Sequence, residues 1–330
     1  MTPGPLRLGV EIGGTKLQVG LGRGDGAILA LIRLPIRPEL GATAILADLA
    51  LAARRMIDDS GHPEVDAVGI GFGGPVEVEA GIVATSHQVA GWTGFPLADW
   101  AREAFGIATV SIENDADTAA LGEALLGAGV GRSPLLYATI GSGIGGGLVV
   151  DGRIYRGGLG LGALELGHLR PDPTDPSATL ESIASGWGIA SHARRRVLET
   201  SRPGPLPADW LDREIIGAID GQAVARAASA GDGLALAVLG EAASALGRSL
   251  GLAATLLAPS RIVLGGGVSL LSEGLWWTPV RAAIEATIFP PYRGRFDVVP
   301  AGLGEEVVVH GALALARRAV EGANKSGIGA

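Results

Sequence analysis

Apolar and polar positions along this 330-residue chain sort into short continuous apolar runs that end at glycine-rich turns, and longer stretches with helical spacing. Leu6 to Gly22 is apolar on both sides of Gly13-Gly14-Thr15-Lys16, which predicts a strand, a tight turn and a returning strand. Val65 to Phe72 is a continuous apolar run closed by glycines, and Thr109 to Ile112 is a shorter β-rich run that stops at Glu113-Asn114-Asp115. Leu135 to Ile154 repeats the hairpin pattern with glycines at its centre. This weak internal repeat points to two related lobes. Helical spacing predicts helices over 42–58, 116–126, 186–198, 221–230, 234–257 and 310–321. Asp115 therefore falls at a strand-to-helix junction. Arg261 to Ser269 reads as a strand that runs into Gly265-Gly266-Gly267.

Length and composition narrow the function classes. A chain of 330 residues with 47% hydrophobic content exceeds the usual size of one domain, so two lobes with a cleft between them are expected. A formal charge of -8 and a pI near 5.2 argue against a nucleic-acid partner, which would call for a basic face. There is no Cys, which excludes disulfides and thiolate metal sites and fits a reducing cytoplasm. The opening MTPGPLRLGVEIGG lacks the basic and long apolar segments of a signal peptide. Ser133 to Val150 carries no charge and is long enough to raise a membrane reading. Its proline and its many glycines favour strand, loop and strand instead. The expectation is a cytoplasmic protein with no membrane partner.

Several loops carry candidate chemistry. Gly13-Gly14-Thr15-Lys16 would let backbone amides approach phosphate oxygens, with Thr15 and Lys16 adding donors; an ordinary glycine-rich hairpin turn explains the same residues. Thr139 to Gly147, with Gly141, Ser142 and Gly143 at its centre, supplies a second row of donors. It is no P-loop, because no Gly-Lys-Ser/Thr ending is present and a strand follows. Gly265, Gly266 and Gly267 would permit a flat ligand such as adenine to lie on bare backbone, or a helix to pack tightly. Asn114 and Asp115 fit either a polar catalytic pair or simple helix caps.

The segments GVEIGGTKLQVGLG, GIGFGGPVEVEAGIV, IENDADTAALGEALLGAG, TIGSGIGGGLVVDGRIYRG, ALELGH and RIVLGGGVS occur in an order and spacing that resemble the ROK family of bacterial sugar kinases and repressors. That family lies within the actin-like, hexokinase-like ATPases. The resemblance implies an α/β fold of two RNase H-like lobes: residues 1–115 completed by a closing helix at about 310–330, and a larger lobe over 116–309. It implies a hexose kinase using ATP and Mg²⁺, with glucose as first choice of substrate, and a homodimer.

The resemblance further implies that Asp115 accepts the proton of the attacking hydroxyl, as a carboxylate at a helix N-terminus is suited to do. Gly74, Gln88, Asn114, Glu165, His168 and Glu181 take the sugar-side positions. The Gly13, Gly141 and Gly265 loops hold the nucleotide. Three residue patterns depart from the family. LRPDPTDPSATL replaces a longer insert whose three Cys bind zinc with the His, so no structural zinc is expected. Glu11 stands in place of Asp near Mg²⁺ and would act through water, and Gln88 stands in place of Asn.

Alternative readings are a kinase for another hexose or N-acetylhexosamine, a polyphosphate-dependent glucokinase, and a non-catalytic sugar-binding regulator. Arg153, Arg156 and Arg170 are too few to establish a polyphosphate channel. The first strand begins at about residue 6, which leaves no room before it for a repressor's helix-turn-helix.

Overall fold

The computed structural model describes residues 4–86, 89–162, 164–172, 174–199 and 216–326. The predicted first hairpin is present as β1, Leu6–Ile12, and β2, Lys16–Gly22, joined across Gly14 and Thr15. Its tip is closed by the Gly13 N–H donating to the Lys16 carbonyl at 3.1 Å. β3, Ile28–Pro35, extends the hairpin on its outer edge, and its residues are only partly buried or exposed, unlike those of its neighbours. β4, Val65–Phe72, and β7, Thr109–Asn114, continue the sheet in parallel with β1, giving the order β3-β2-β1-β4-β7. Two short strands, β5 at Val76–Glu77 and β6 at Ile82–Val83, form a separate ribbon.

A second five-stranded sheet has the order β10-β9-β8-β11-β12, built from β8 Leu135–Ile140, β9 Ile144–Val150, β10 Arg153–Ile154, β11 Arg261–Gly265 and β12 Asp297–Pro300. Both sheets carry an antiparallel pair at one end and a parallel pair at the other. This is the structural form of the repeat read from the two hairpins. The uncharged stretch that raised a membrane reading is β8 and β9. No single helix among the described residues is long and apolar enough to cross a membrane.

Helices form where apolar residues recur on one face. In α1, Gly41–Asp59, the buried residues Ile45, Leu46, Leu49, Ala52, Ala53 and Met56 follow a three-to-four-residue spacing and pack on the first sheet's core of Leu8, Val10, Leu17, Val19 and Ile70. α2, Leu97–Phe105, follows the β5–β6 ribbon. α3, Asp115–Leu126, starts directly after β7. The helices α4 Leu180–Ala184, α5 Gly186–Glu199, α6 Gly221–Ser229 and α7 Gly233–Leu257 form the helical region expected after Leu180, and α8 Thr278–Thr287, beyond β11, is a helix that the sequence reading lacks. The last helix, α9, spans Val307–Ser326 and begins three residues earlier than its periodicity indicates.

The chain divides into two compact units, one of Met1–Tyr137, Gly147–Ala163 and Ala301–Ala330, the other of Ala138–Gly146 and Leu164–Pro300. The boundary expected at Asp115 thus moves past α3. The reason lies in how α3 and α9 meet. A Cβ on Gly311 would stand 1.8 Å from the Thr118 carbonyl, so only glycine lets the two helix backbones approach this closely. Where they separate, the carboxylate of Glu123 ties them: it accepts from the Ala128 N–H at 2.7 Å, and from the Gly302 and Leu303 N–H groups at 2.9 Å each.

Candidate active site

In the first unit the β7–α3 junction places Asp115. Asn114 has extended backbone and caps α3, its Oδ1 accepting from the N–H of Ala116 at 2.8 Å and of Asp117 at 3.3 Å. Its other side-chain atom, Nδ2, donates to the Gly74 carbonyl at 3.1 Å, which links two residues expected on the sugar side. The cap function weighed against a ligand role for Asn114 is therefore real. Asp115 Oδ1 accepts from the Ala116 N–H at 2.8 Å, at the positive end of the helix dipole.

Gly73 joins this junction to the Gly13 turn. A Cβ at Gly73 would meet Asp115 Oδ2 and the Ile12 carbonyl at 3.2 Å each, and Gly13 Cα at 3.3 Å. The absence of a side chain there keeps the carboxylate and the turn adjacent. Gly73 lies within the quoted GIGFGGPV segment but reads there only as strand punctuation, so its linking role is legible only from the structure.

Glu11, on β1, is 4% exposed and lies next to both groups. Its Oε1 stands 3.5 Å from Lys16 Nζ, while Oε2 is buried with no hydrogen-bond partner. Burial chiefly, opposed by Lys16 and reinforced by the Asp115 charge, pushes the Glu11 carboxyl up to about 7. An orphaned buried carboxylate oxygen beside a second carboxylate fits a divalent cation or a cation's bound water. Lys16 is engaged a second time, since its Nζ donates to the Glu305 carbonyl at 2.6 Å. No local pattern in the sequence signals that partner, which lies 289 positions away. Gly14 and Thr15, at the tip of the turn, are exposed.

In the second unit the Gly141 loop, α5 and β11 meet. The Gly186 N–H donates to the Gly141 carbonyl at 2.8 Å, and the Trp187 N–H to the Ser142 carbonyl at 3.4 Å. Trp187 is 70% exposed beside this loop, a residue that reads from sequence only as part of a helical stretch. A Cβ on Gly141 would meet open space, whereas one on Gly143 would collide with Glu181 Oε2 at 2.5 Å. Thr139 is partly buried at the end of β8.

The three glycines after β11 divide in role. Gly266 has φ +84°, and a Cβ there would lie 2.4 Å from the Ile140 carbonyl, so backbone packing requires it. Gly267 has nothing within 4 Å of a Cβ and is the position with room for a flat ligand. Gly265 is the buried last residue of β11.

Glu165 and His168 are both exposed and bracket a short 3-10 turn, Leu166–His168, in which the His168 N–H donates to the Glu165 carbonyl at 3.1 Å. Gly167 presses this turn against α4, where a Cβ would lie 3.4 Å from Glu181 Cβ. Glu181 accepts from the Ile144 N–H at 2.8 Å, so the structure brings it to the Gly141 loop as well. The shortened insert folds onto itself: Asp172 accepts from Thr174 N and Oγ1 at 2.8 and 2.6 Å, and Asp175 from Ser177 N and Oγ at 3.0 and 2.5 Å. Gln88 lies outside the described residues.

Comparison with known proteins places the chain as a whole. The ROK family pattern matches residues 7–319. A glucokinase of Halalkalibacterium halodurans is 33% identical over 313 residues, covering 92% of each chain. Among solved structures, a ROK family glucokinase from Streptomyces griseus in complex with glucose and AMPPNP shares 31% identity, with a TM-score of 0.78 over 95% of this chain and 99% of that one. A ROK hexokinase from Thermus thermophilus shares 31% identity, with a TM-score of 0.79 over 96% of this chain and 99% of that one. The fold is the mixed α/β, actin-like type that the motif order implies, and the chain belongs to the ROK family.

Proposed function

We propose that this chain is an ATP-dependent hexose kinase that phosphorylates D-glucose at its 6-hydroxyl, with Asp115 as the base. The observation that carries the reading is the place of Asp115: first residue of α3, beside the N-cap Asn114, and separated from the Gly13 turn only by Gly73. Phosphoryl transfer needs a nucleophile held in line and its proton accepted, rather than covalent participation by the protein. A carboxylate on a helix N-terminus, anchored by the backbone N–H of the next residue, Ala116, meets that need.

Bound Mg-ATP supplies the phosphoryl group and the cation that offsets its charge. Glu11 would hold the cation through water with its unpartnered Oε2, and the Gly13–Lys16 and Thr139–Gly143 loops would hold the phosphates. Gly267 would face the adenine. On the sugar side, Asn114, Gly74, Glu165, His168, Glu181 and Gln88 would bind hydroxyls, since carboxylate and imidazole groups accept hydrogen bonds from vicinal diols. The glucokinase relatives support glucose over other hexoses, and the reading extends to a cytoplasmic homodimer. A polyphosphate donor is less well supported, because Arg156 is bound to Glu113 and Arg170 donates to the Pro176 carbonyl at 2.6 Å.

The test is ADP release by the purified protein with Mg-ATP across hexoses and N-acetylhexosamines, with polyphosphate as a parallel donor. Turnover on glucose supports the reading. Silence across the panel, with sugar binding still seen by thermal shift, would favour a non-catalytic sugar-binding regulator.

A further inference from the structure

We propose that Arg156 is a positioning residue for this reaction, holding the β7–α3 junction from both flanks so that Asp115 stays aimed. The proposal rests on the reading of Asp115 as the base. Glu113 lies two residues before Asp115, and its side chain is 1% exposed. Its Oε1 accepts two hydrogen bonds from one guanidinium, from Arg156 Nε at 2.8 Å and from Arg156 Nη2. Asp117 lies two residues after Asp115 and is 2% exposed. Its negative charge acts on the same guanidinium. The segment that begins at Arg156 also returns to Asp117: a Cβ on Gly162, at φ +97°, would stand 3.1 Å from Asp117 Oδ2. One short segment thus braces the junction on either side of Asp115.

Stability alone does not account for this arrangement. Burial pushes the Glu113 carboxyl up and Arg156 draws it back, so the pair as a whole gives little net stability against its desolvation, whereas loss of Arg156 alone would strand a carboxylate that is 1% exposed. The pair also borders a cavity of about 160 Å³ lined in part by Glu79, Gly81, Ala98 and Ser111. What a planar fork with two N–H groups on one oxygen provides is direction. It fixes the Glu113 side chain, and with it the end of β7 from which Asp115 projects. A misplacement of about 1 Å at a reacting group costs on the order of 100-fold in rate, so the effect belongs in kcat.

The experiment compares Arg156→Ala, Arg156→Lys, Glu113→Gln and the Arg156→Ala/Glu113→Gln double variant in the full chain, with Mg-ATP and the turned-over hexose. It reads kcat, both KM values and Tm. For Arg156→Ala the expected result is a loss of about 10- to 100-fold in kcat, with each KM within about threefold of the parent. Arg156→Lys keeps the charge without the fork, and should recover part of kcat at unchanged Tm. The double variant should be no slower than the worse single one, because both remove one contact. Added guanidinium chloride at low millimolar concentration should raise kcat of Arg156→Ala and leave Asp115→Asn unchanged.

A kcat for Arg156→Ala within about twofold of the parent, a loss confined to KM, or additive single effects would each overturn the proposal. Asp115→Asn measured in parallel separates the two readings. Full turnover there removes the base and this proposal together, whereas an inactive Asp115→Asn beside an unaffected Arg156→Ala removes Arg156 alone.

Discussion

Glu11 Oε1 lies 3.5 Å from Lys16 Nζ, across the turn that joins the first two strands, yet this neighbour does not offset the burial of the carboxylate. The Glu11 carboxyl titrates near 4.5 in an unfolded chain and near 7 in the fold. Between those values the folded chain binds more protons than the unfolded one, so raising the pH through this window lowers stability. The full swing is at most about 3 kcal/mol. Metal-free, nucleotide-free protein should therefore lose Tm between pH 5 and pH 8 relative to Glu11→Gln. Equal pH slopes for the two proteins would show that Glu11 is ionised throughout.

Asp115→Asn preserves the shape of the side chain and its capacity to accept from the Ala116 N–H. Turnover should fall by about 100- to 10,000-fold, the usual contribution of a positioned base, while the thermal shift produced by sugar is retained. Comparable turnover in the variant would reduce Asp115 to a helix cap.

Glu123 is fully buried, and its carboxylate receives the Ala128, Gly302 and Leu303 N–H groups. Replacement by alanine strands these donors away from water, at about 1–3 kcal/mol each, so a loss of about 3 kcal/mol or more is expected in chemical denaturation. Glu123→Gln should cost less, since one oxygen still accepts. A loss below about 1 kcal/mol for alanine would mean that water replaces the carboxylate.

Gly266 and Gly267 adjoin in sequence but should respond differently to alanine. At Gly266 the positive φ and the 2.4 Å approach to the Ile140 carbonyl both oppose a Cβ, and a cost of about 1–3 kcal/mol or more is expected from strain alone. At Gly267 a methyl group meets open space, so Tm should hold while the KM for ATP rises. An unchanged KM would move the adenine elsewhere.

Much of this was legible before any coordinates. The continuous apolar run Val65 to Phe72 is a strand with those same ends, and the periodic run after Asp115 is a helix, because sheet burial and helix spacing write themselves into local sequence. The edge strand Ile28–Pro35 went unrecognised despite its apolar run Ile28 to Ile32, because such a run alone does not separate a strand from a helix, and the four-residue strand Asp297–Pro300 is too short to carry a period. Among site residues, the glycine turns and Asn114-Asp115 announce themselves by composition. Their partners do not. Lys16 with Glu305, Glu123 with Gly302, and Glu113 with Arg156 are separated by 289, 179 and 43 positions, and nothing in either neighbourhood anticipates the other.

The helix that covers the first unit comes from residues 307–326, after the whole of the second unit's sequence. On a ribosome, β1 with Glu11 and the β7–α3 junction with Asp115 emerge early and then wait. At about 5–20 residues per second, the interval between β7 and α9 lasts on the order of 10 to 40 s. Throughout it, the sheet face that α9 will cover stays open to solvent and to chaperones. A message cut short before codon 307 would therefore yield no partly working kinase but a chain whose apolar sheet lies uncovered.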